Sequence, residues 1–233
     1  MWEHWSLLGV HLALKEAPQF AAAQSNPDIN QAFVYLLGHE TPEAFLEDYQ
    51  AVGRGDLPAR AGFNCCFPTV HDPLQSRRPG MHTGNITQMA PFDLKEGSDR
   101  WYSLPFKREA AARCLSTLRK YAPNITEDKV HSFYVSTPLD IENKFSNMVK
   151  GSIKVGQYHP LQMGYLRPNE QCSTHRSPVK NLYMGGACTH PGGTVILGAG
   201  YLAANAVAED KGIAKWWNEP EMVTRVRQQG LLP

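Results

Sequence analysis

The stretch NLYMGGACTHPGGTVILGAG, residues 181–200, carries more chemistry than any other part of the chain. Asn181 to Met184 reads as a short buried strand. Gly185, Gly186, Gly192 and Gly193, together with Pro191, then form a glycine-rich turn, and Val195 to Glu209 reads as a helix. Along that helix the small residues Gly198, Ala199, Gly200, Ala203, Ala204 and Ala206 allow close backbone approach. Glycines in the turn let the backbone come against a flat ring with no Cβ in the way. The helix start behind them exposes N–H groups and the positive end of a dipole. On chemistry alone this strand, turn and helix suit a phosphate, a carboxylate or a flavin.

The residues upstream read as a mixture of strands and helices without strict alternation. Leu8, Val10, Leu12 and Leu14 recur at period two, so residues 6–14 are predicted to form a sheet strand. Residues 33–37 are a second strand. Thr41, Pro42 and Glu43 supply an N-cap, an N1 proline and a first-turn acid for a helix to about Gln50, closed by a turn over residues 53–58. Residues 62–70 and 80–89 are strands joined by the polar loop around His71, Asp72 and Pro73. From Lys107 to Tyr121, the residues Ala111, Cys114, Leu115, Leu118 and Tyr121 fall at helical spacing and give the best amphipathic helix in the chain. Residues 130–135 are another strand, and Thr137 and Pro138 start a short helix to about Phe145. Residues 150–178 are irregular. The fold class this predicts is α+β, a mixed-sheet α/β arrangement.

Against that background, residues 181–200 resemble the C-terminal FAD motif of phytoene desaturase and carotenoid isomerase-like oxidoreductases, in the NAD(P)/FAD-dependent amine-oxidase-like superfamily. Thr137-Pro138-Leu139-Asp140-Ile141-Glu142, followed by Gly151 and Arg167-Pro168, is similar to the stretch that precedes that motif, so the likeness runs from about Trp5 to Trp217. The resemblance implies a substrate-domain portion over residues 1–150, a crossover over 151–180, the C-terminal strand-turn-helix of an FAD-binding domain over 181–215, and a tail over 216–233. It implies that Gly185, Gly186, Thr189, His190, Pro191, Gly192, Gly193, Val195 and Ile196 line the flavin, with N–H groups near Val195 and Ile196 at its pyrimidine edge. It also implies hydride transfer between FAD and a hydrophobic substrate, often a polyene in this group. The apolar faces of residues 6–14, 33–37 and 80–89 would wall the substrate pocket.

The sequence departs from that pattern in one respect. Such enzymes bind the ADP pyrophosphate with a G-x-G-x-x-G turn between a strand and a helix, and this sequence has none. Gly53-Arg54-Gly55-Asp56 follows a helix and runs into Leu57-Pro58 instead of opening one. The FAD site is therefore expected to be incomplete in this chain alone. A partner chain carrying the G-x-G-x-x-G domain would complete it, or a homo-oligomer would cover the apolar surface left bare. The alternative is a non-catalytic binding or oligomerisation module derived from such an enzyme.

Other function classes find less support. Lys and Arg number 23 against 22 Asp and Glu, for a formal net charge of +1, and no polybasic run suggests nucleic acid. No apolar run approaches the roughly 20 residues that span a bilayer, and the N-terminus lacks a basic segment followed by an apolar one. The expected location is the cytoplasm or an organelle matrix. The five cysteines, with Cys65 and Cys66 adjacent, read as reduced thiols. Cys188 and His190 lack a second ligand pair at zinc-site spacing, so no metal is expected. His190 is the candidate catalytic acid or base, although a histidine beside a proline in a tight turn more often packs or hydrogen-bonds. Trp216 and Trp217 are expected to pack back onto the core.

Overall fold

Alternation of apolar residues builds the first half of the molecule. The computed structural model describes residues 1–231 except Thr194 and Ile196. The chain divides into two compact units, Met1–Gln157 and Tyr158–Pro233.

In the first unit, β1 (Trp5–Leu14) turns Leu8, Val10, Leu12 and Leu14 into the core and Trp5, Leu7, Gly9, His11 and Ala13 to the opposite face. It lies inside an antiparallel five-stranded sheet of order β2-β3-β4-β1-β5, with β2 at Tyr35–Leu37, β3 at Phe63–Cys66, β4 at His82–Pro91 and β5 at Val130–Ser136. The β1–β4 ladder is unbroken from Trp5↔Pro91 to Leu14↔His82.

The core face of the sheet is covered by α2 (Leu104–Tyr121). The Ser103 hydroxyl accepts from Phe106 N at its start, and Arg119 and Lys120 sit in its last turn, where cations favour the dipole. Phe106, Ala110, Ala111, Cys114, Leu115 and Leu118 join Phe20, Phe63, Phe67, Ile86, Trp101 and Ile125 in one apolar cluster. Burial pushes the thiols of Cys65 and Cys114 up to about 12, so both stay protonated and inert. The Cys114 thiol donates to Gln88 Oε1 at 3.5 Å, and Gln88 Nε2 donates to Pro58 O at 3.3 Å, which leaves that buried amide satisfied.

Helix α1 (Pro42–Gly53), capped by Thr41 Oγ1 accepting from Ala44 N, stands over one end of the opposite sheet face. Helix α3 (Pro138–Lys144) begins with a reciprocal capping box, in which Thr137 Oγ1 accepts from Asp140 N and Asp140 Oδ2 accepts from Thr137 N. Asp140 Oδ2 also accepts from Lys107 Nζ at 2.8 Å, which ties α3 to α2.

The strand predicted over 33–37 is confined to Tyr35–Leu37, with Phe33 and Val34 exposed. The one predicted over 62–70 ends at Cys66, and Pro68–Val70 is a 3-10 turn because Pro68 has no N–H to give a ladder.

In the second unit, short 3-10 turns lead to α4 (Gly198–Lys211) and α5 (Glu221–Gln228). The expected strand over Asn181 to Met184 does not form. Instead Tyr183 makes an isolated antiparallel bridge with Arg176, flanked by Met184 N donating to His175 O and Ser177 N donating to Leu182 O. Asn181 at φ +66° turns the chain back on itself, so residues 175–184 close a small hairpin rather than running straight into the glycines. Helix α4 starts at Gly198 instead of Val195 because Leu197 takes a left-handed φ of +63°. Helix α5 falls in what reads from the sequence as a tail.

Candidate functional site

The glycine turn is held from behind by buried polar side chains. Thr189 is fully buried; its N–H and its hydroxyl both donate to Gly186 O, at 3.1 and 3.0 Å, and its carbonyl accepts from Gly192 N at 2.7 Å. Arg167, 1% exposed, donates to Ala187 O from Nη2 at 2.6 Å and from Nε at 3.1 Å, and its guanidinium lies 5.0 Å from the centroid of the Tyr158 ring. The His175 ring meets Met184 O through Nδ1 at 3.0 Å, so that nitrogen carries the proton. At the far end of α4, Arg176 Nε donates to both oxygens of Asp210, and Tyr183 donates to the same carboxylate. These hydrogen bonds hold the Asp210 carboxyl below its usual range.

Two kinds of glycine occupy the turn. At Gly192, with φ +92°, a Cβ would run into the Tyr158 ring; at Gly193 it would lie 2.9 Å from Ala187 Cβ, and at Gly198 2.8 Å from Val195 Cγ1. These three are packed against the fold itself. Gly186, with φ +87°, and Gly200 have nothing within 4 Å of where a Cβ would stand, and at Gly185 the nearest atom is Ala203 Cβ at 3.7 Å. Gly185, Gly186, Val195, Leu197 and Gly200 are each exposed around the start of a helix of 14 residues, with Leu197 82% exposed. Space that a side chain would fill, beside helix N–H groups, fits the edge of a flat, electron-rich ring.

Of the residues singled out from the sequence, Gly185, Gly186 and Val195 are exposed, Gly193 is exposed but has no room for a Cβ beside Ala187, and Thr189 and Gly192 are buried. Pro191 is half-buried against Gly198. His190 is exposed and makes no hydrogen bond or ion pair among the described residues, and Ile196 lies outside them. The Cys188 thiol points back to Gly185 O. Among the described residues no three His, Cys, Asp or Glu side chains are grouped as a metal site, and no helix is long and apolar enough to cross a membrane.

The first unit holds a concavity on its sheet. A pocket of about 340 Å³ opens on the sheet face away from α2, lined by Trp5, Leu7, Leu36, Thr87 and Met89 from the strands and by Phe45 and Asp48 from α1. Three strand segments expected to wall a pocket, residues 6–14, 33–37 and 80–89, thus meet here through Leu7, Leu36, Thr87 and Met89. His39 and Asp48, which also line it, escaped the sequence: they are nine residues apart on a loop and a helix, with no motif joining them.

The chain is related in sequence to oxidoreductases, among them one component of a dehydrogenase and a desaturase. It is 37% identical to a subunit of the limonene dehydrogenase of Castellaniella defragrans over 99% of this chain and 42% of that protein. It is 31% identical to pyridine nucleotide-disulfide oxidoreductase domain-containing protein 2 of Mus musculus over 86% of the chain and 35% of that protein. It is 30% identical to the 4,4'-diapophytoene desaturase (4,4'-diaponeurosporene-forming) of Staphylococcus haemolyticus over 67% of the chain and 30% of that protein. The chain therefore spans less than half the length of these curated relatives. No family model matches it.

Proposed function

We propose that this chain is part of an FAD-dependent oxidoreductase that transfers hydride between a hydrophobic substrate and flavin, and that the outward glycine face of residues 185–200 lies against the flavin. The observation that carries the proposal is the coincidence of two things. A relative matched over nearly the whole chain is named as a subunit of limonene dehydrogenase, and a glycine-rich turn with open space at Gly186 leads into a helix with open space at Gly200 in its first turn.

In this reading FAD supplies the electron-accepting ring, and the chain's own residues bind and orient it. Gly185, Gly186 and Gly200 leave room for close approach. The N–H groups at the start of α4 favour negative charge at the ring edge they face. Arg167 and Thr189 fix the turn from behind, so that donors do not have to reorganise when charge develops. The ADP half of the cofactor would be held by a G-x-G-x-x-G segment, either in a longer polypeptide or in a partner chain, as the word subunit in the relative's name suggests.

The test is visible absorption of the protein, purified with whatever polypeptide accompanies it, after FAD has been added and unbound cofactor removed by gel filtration. A flavin band should be retained. Gly200→Leu, which introduces a good helix former into open space, should weaken retention at least about tenfold without lowering the melting temperature. Absence of a flavin band from the native preparation, or full retention by Gly200→Leu, would refute the assignment of this face.

A further inference from the structure

The pocket on the open sheet face has a polar corner fastened from two sides. After β2 the chain turns at Gly38, whose N–H donates to the Tyr121 hydroxyl at 3.1 Å, and that hydroxyl in turn donates to the Glu40 carboxylate. The loop carrying His39 is thereby fixed to the end of α2. The His39 ring lies over Gly62, where any Cβ would occupy the ring's own place, and meets the edge of Phe45 at 5.2 Å between centroids. Its Nε2 is 3.0 Å from Asp48 Oδ2 on α1, with the two side chains only 18% and 11% exposed.

The rest of the wall is largely apolar: Trp5, Leu7, Leu36, Phe63 and Met89. A bare structural staple between His39 and Asp48 would need no cavity in front of it. Here there is one of about 340 Å³, near the lower end of the roughly 300–1,000 Å³ of small-molecule sites.

The hydrogen-bond inventory decides what the corner accepts. Asp48 is a carboxylate, so the ring nitrogen facing it carries the proton, by inference from the partner. The second Asp48 oxygen, which is not the one facing the ring, is a further acceptor. A ligand must then bring a donor.

We propose that this pocket binds a compact, apolar, monocyclic-sized molecule bearing one hydroxyl group, its body against Trp5, Leu7, Leu36 and Met89 and its O–H donated to the His39–Asp48 pair. The occupant is the enzyme's substrate only if the flavoenzyme assignment above also holds; binding itself does not depend on it.

Calorimetric titration of the protein, with no flavin added, against cyclohexylmethanol and its hydrocarbon isostere ethylcyclohexane tests the site. The alcohol should bind about fivefold more tightly, the worth of one neutral hydrogen bond. Replacing both members of the pair, His39→Phe with Asp48→Leu, should erase that preference while leaving ethylcyclohexane affinity unchanged. Met89→Trp, which keeps the pair and fills the space, should abolish binding of both probes at an unchanged melting temperature. Equal binding of the two probes by the native protein, a preference that survives the paired His39→Phe and Asp48→Leu replacement, or undiminished binding to Met89→Trp overturns the proposal. A negative result leaves flavin retention untouched, and a positive one stands even if the chain never retains FAD.

Discussion

The two units bury different things. The residues 1–157 close over a continuous apolar cluster in which Leu8, Val10, Leu14, Ile86 and Leu118 have no exposed surface. The buried side chains after Tyr158 are those of Arg167, His175, Thr189, Cys172 and three alanines of α4, among the described residues. One unit is held by area removed from water, which is non-directional. The other is held by hydrogen bonds to specific turn carbonyls, which fix geometry more than they add stability. A binding surface made of backbone atoms needs fixed geometry, and that is where the polar unit has its glycines.

The sharpest way to break this contrast is to remove apolar volume from the first unit. Leu8→Ala should cost about 3 kcal/mol, read as a lowered denaturation midpoint. A loss well under about 1 kcal/mol would mean that the sheet core is not what holds residues 1–157.

In the second unit, Arg167→Leu keeps the bulk but orphans the Ala187 carbonyl. It should cost about 2 kcal/mol and raise protease sensitivity within residues 158–231, while leaving the first unit's transition in place. Loss of both transitions together would show that the two units do not unfold separately.

A smaller effect belongs to the polar fastening of the first unit. Asp140→Ala removes half of the Thr137 capping box and the Lys107 bridge, and should cost about 1 kcal/mol. Partial burial alone would raise the Asp140 carboxyl, but hydrogen bonds from Lys107 and Thr137 outweigh it and hold the carboxyl below its usual range. A depressed folded pKa means that this contribution is present above the ordinary carboxylate range near pH 4 and fades as pH falls through it. The native and Asp140→Ala proteins should therefore converge in stability in acid; a constant gap would assign the cost to packing instead.

Much of the first unit was legible because its signals are local. Leu8 to Leu14 alternate, Thr41-Pro42 and Thr137-Pro138 cap helices, and Ala111, Cys114, Leu115 and Leu118 lie on one helical face. Ser103 and Pro105 move the start of α2 ahead of Lys107, a cap signal also present in the sequence. What escaped was set by tertiary context. Asn181 and Leu197 adopt left-handed backbone that neither residue type demands, and these two turns convert an expected strand into a hairpin arm and delay α4. The difference between packed and open glycines is equally invisible in the sequence, because it depends on where Tyr158 and Ala187 lie. His39 and Asp48 meet only because Gly62 yields its side-chain space.

The position of β1 sets a clock on synthesis. Of the five strands of this sheet it is made first, yet it sits between β4 and β5, whose residues begin at His82 and Val130. At roughly 5–20 residues per second, Leu8, Val10, Leu12 and Leu14 stay without either neighbour for several seconds and without the second for on the order of ten. For that interval an apolar strand is an open edge on a growing chain, the state in which a holding chaperone is worth most and rapid overexpression is costliest.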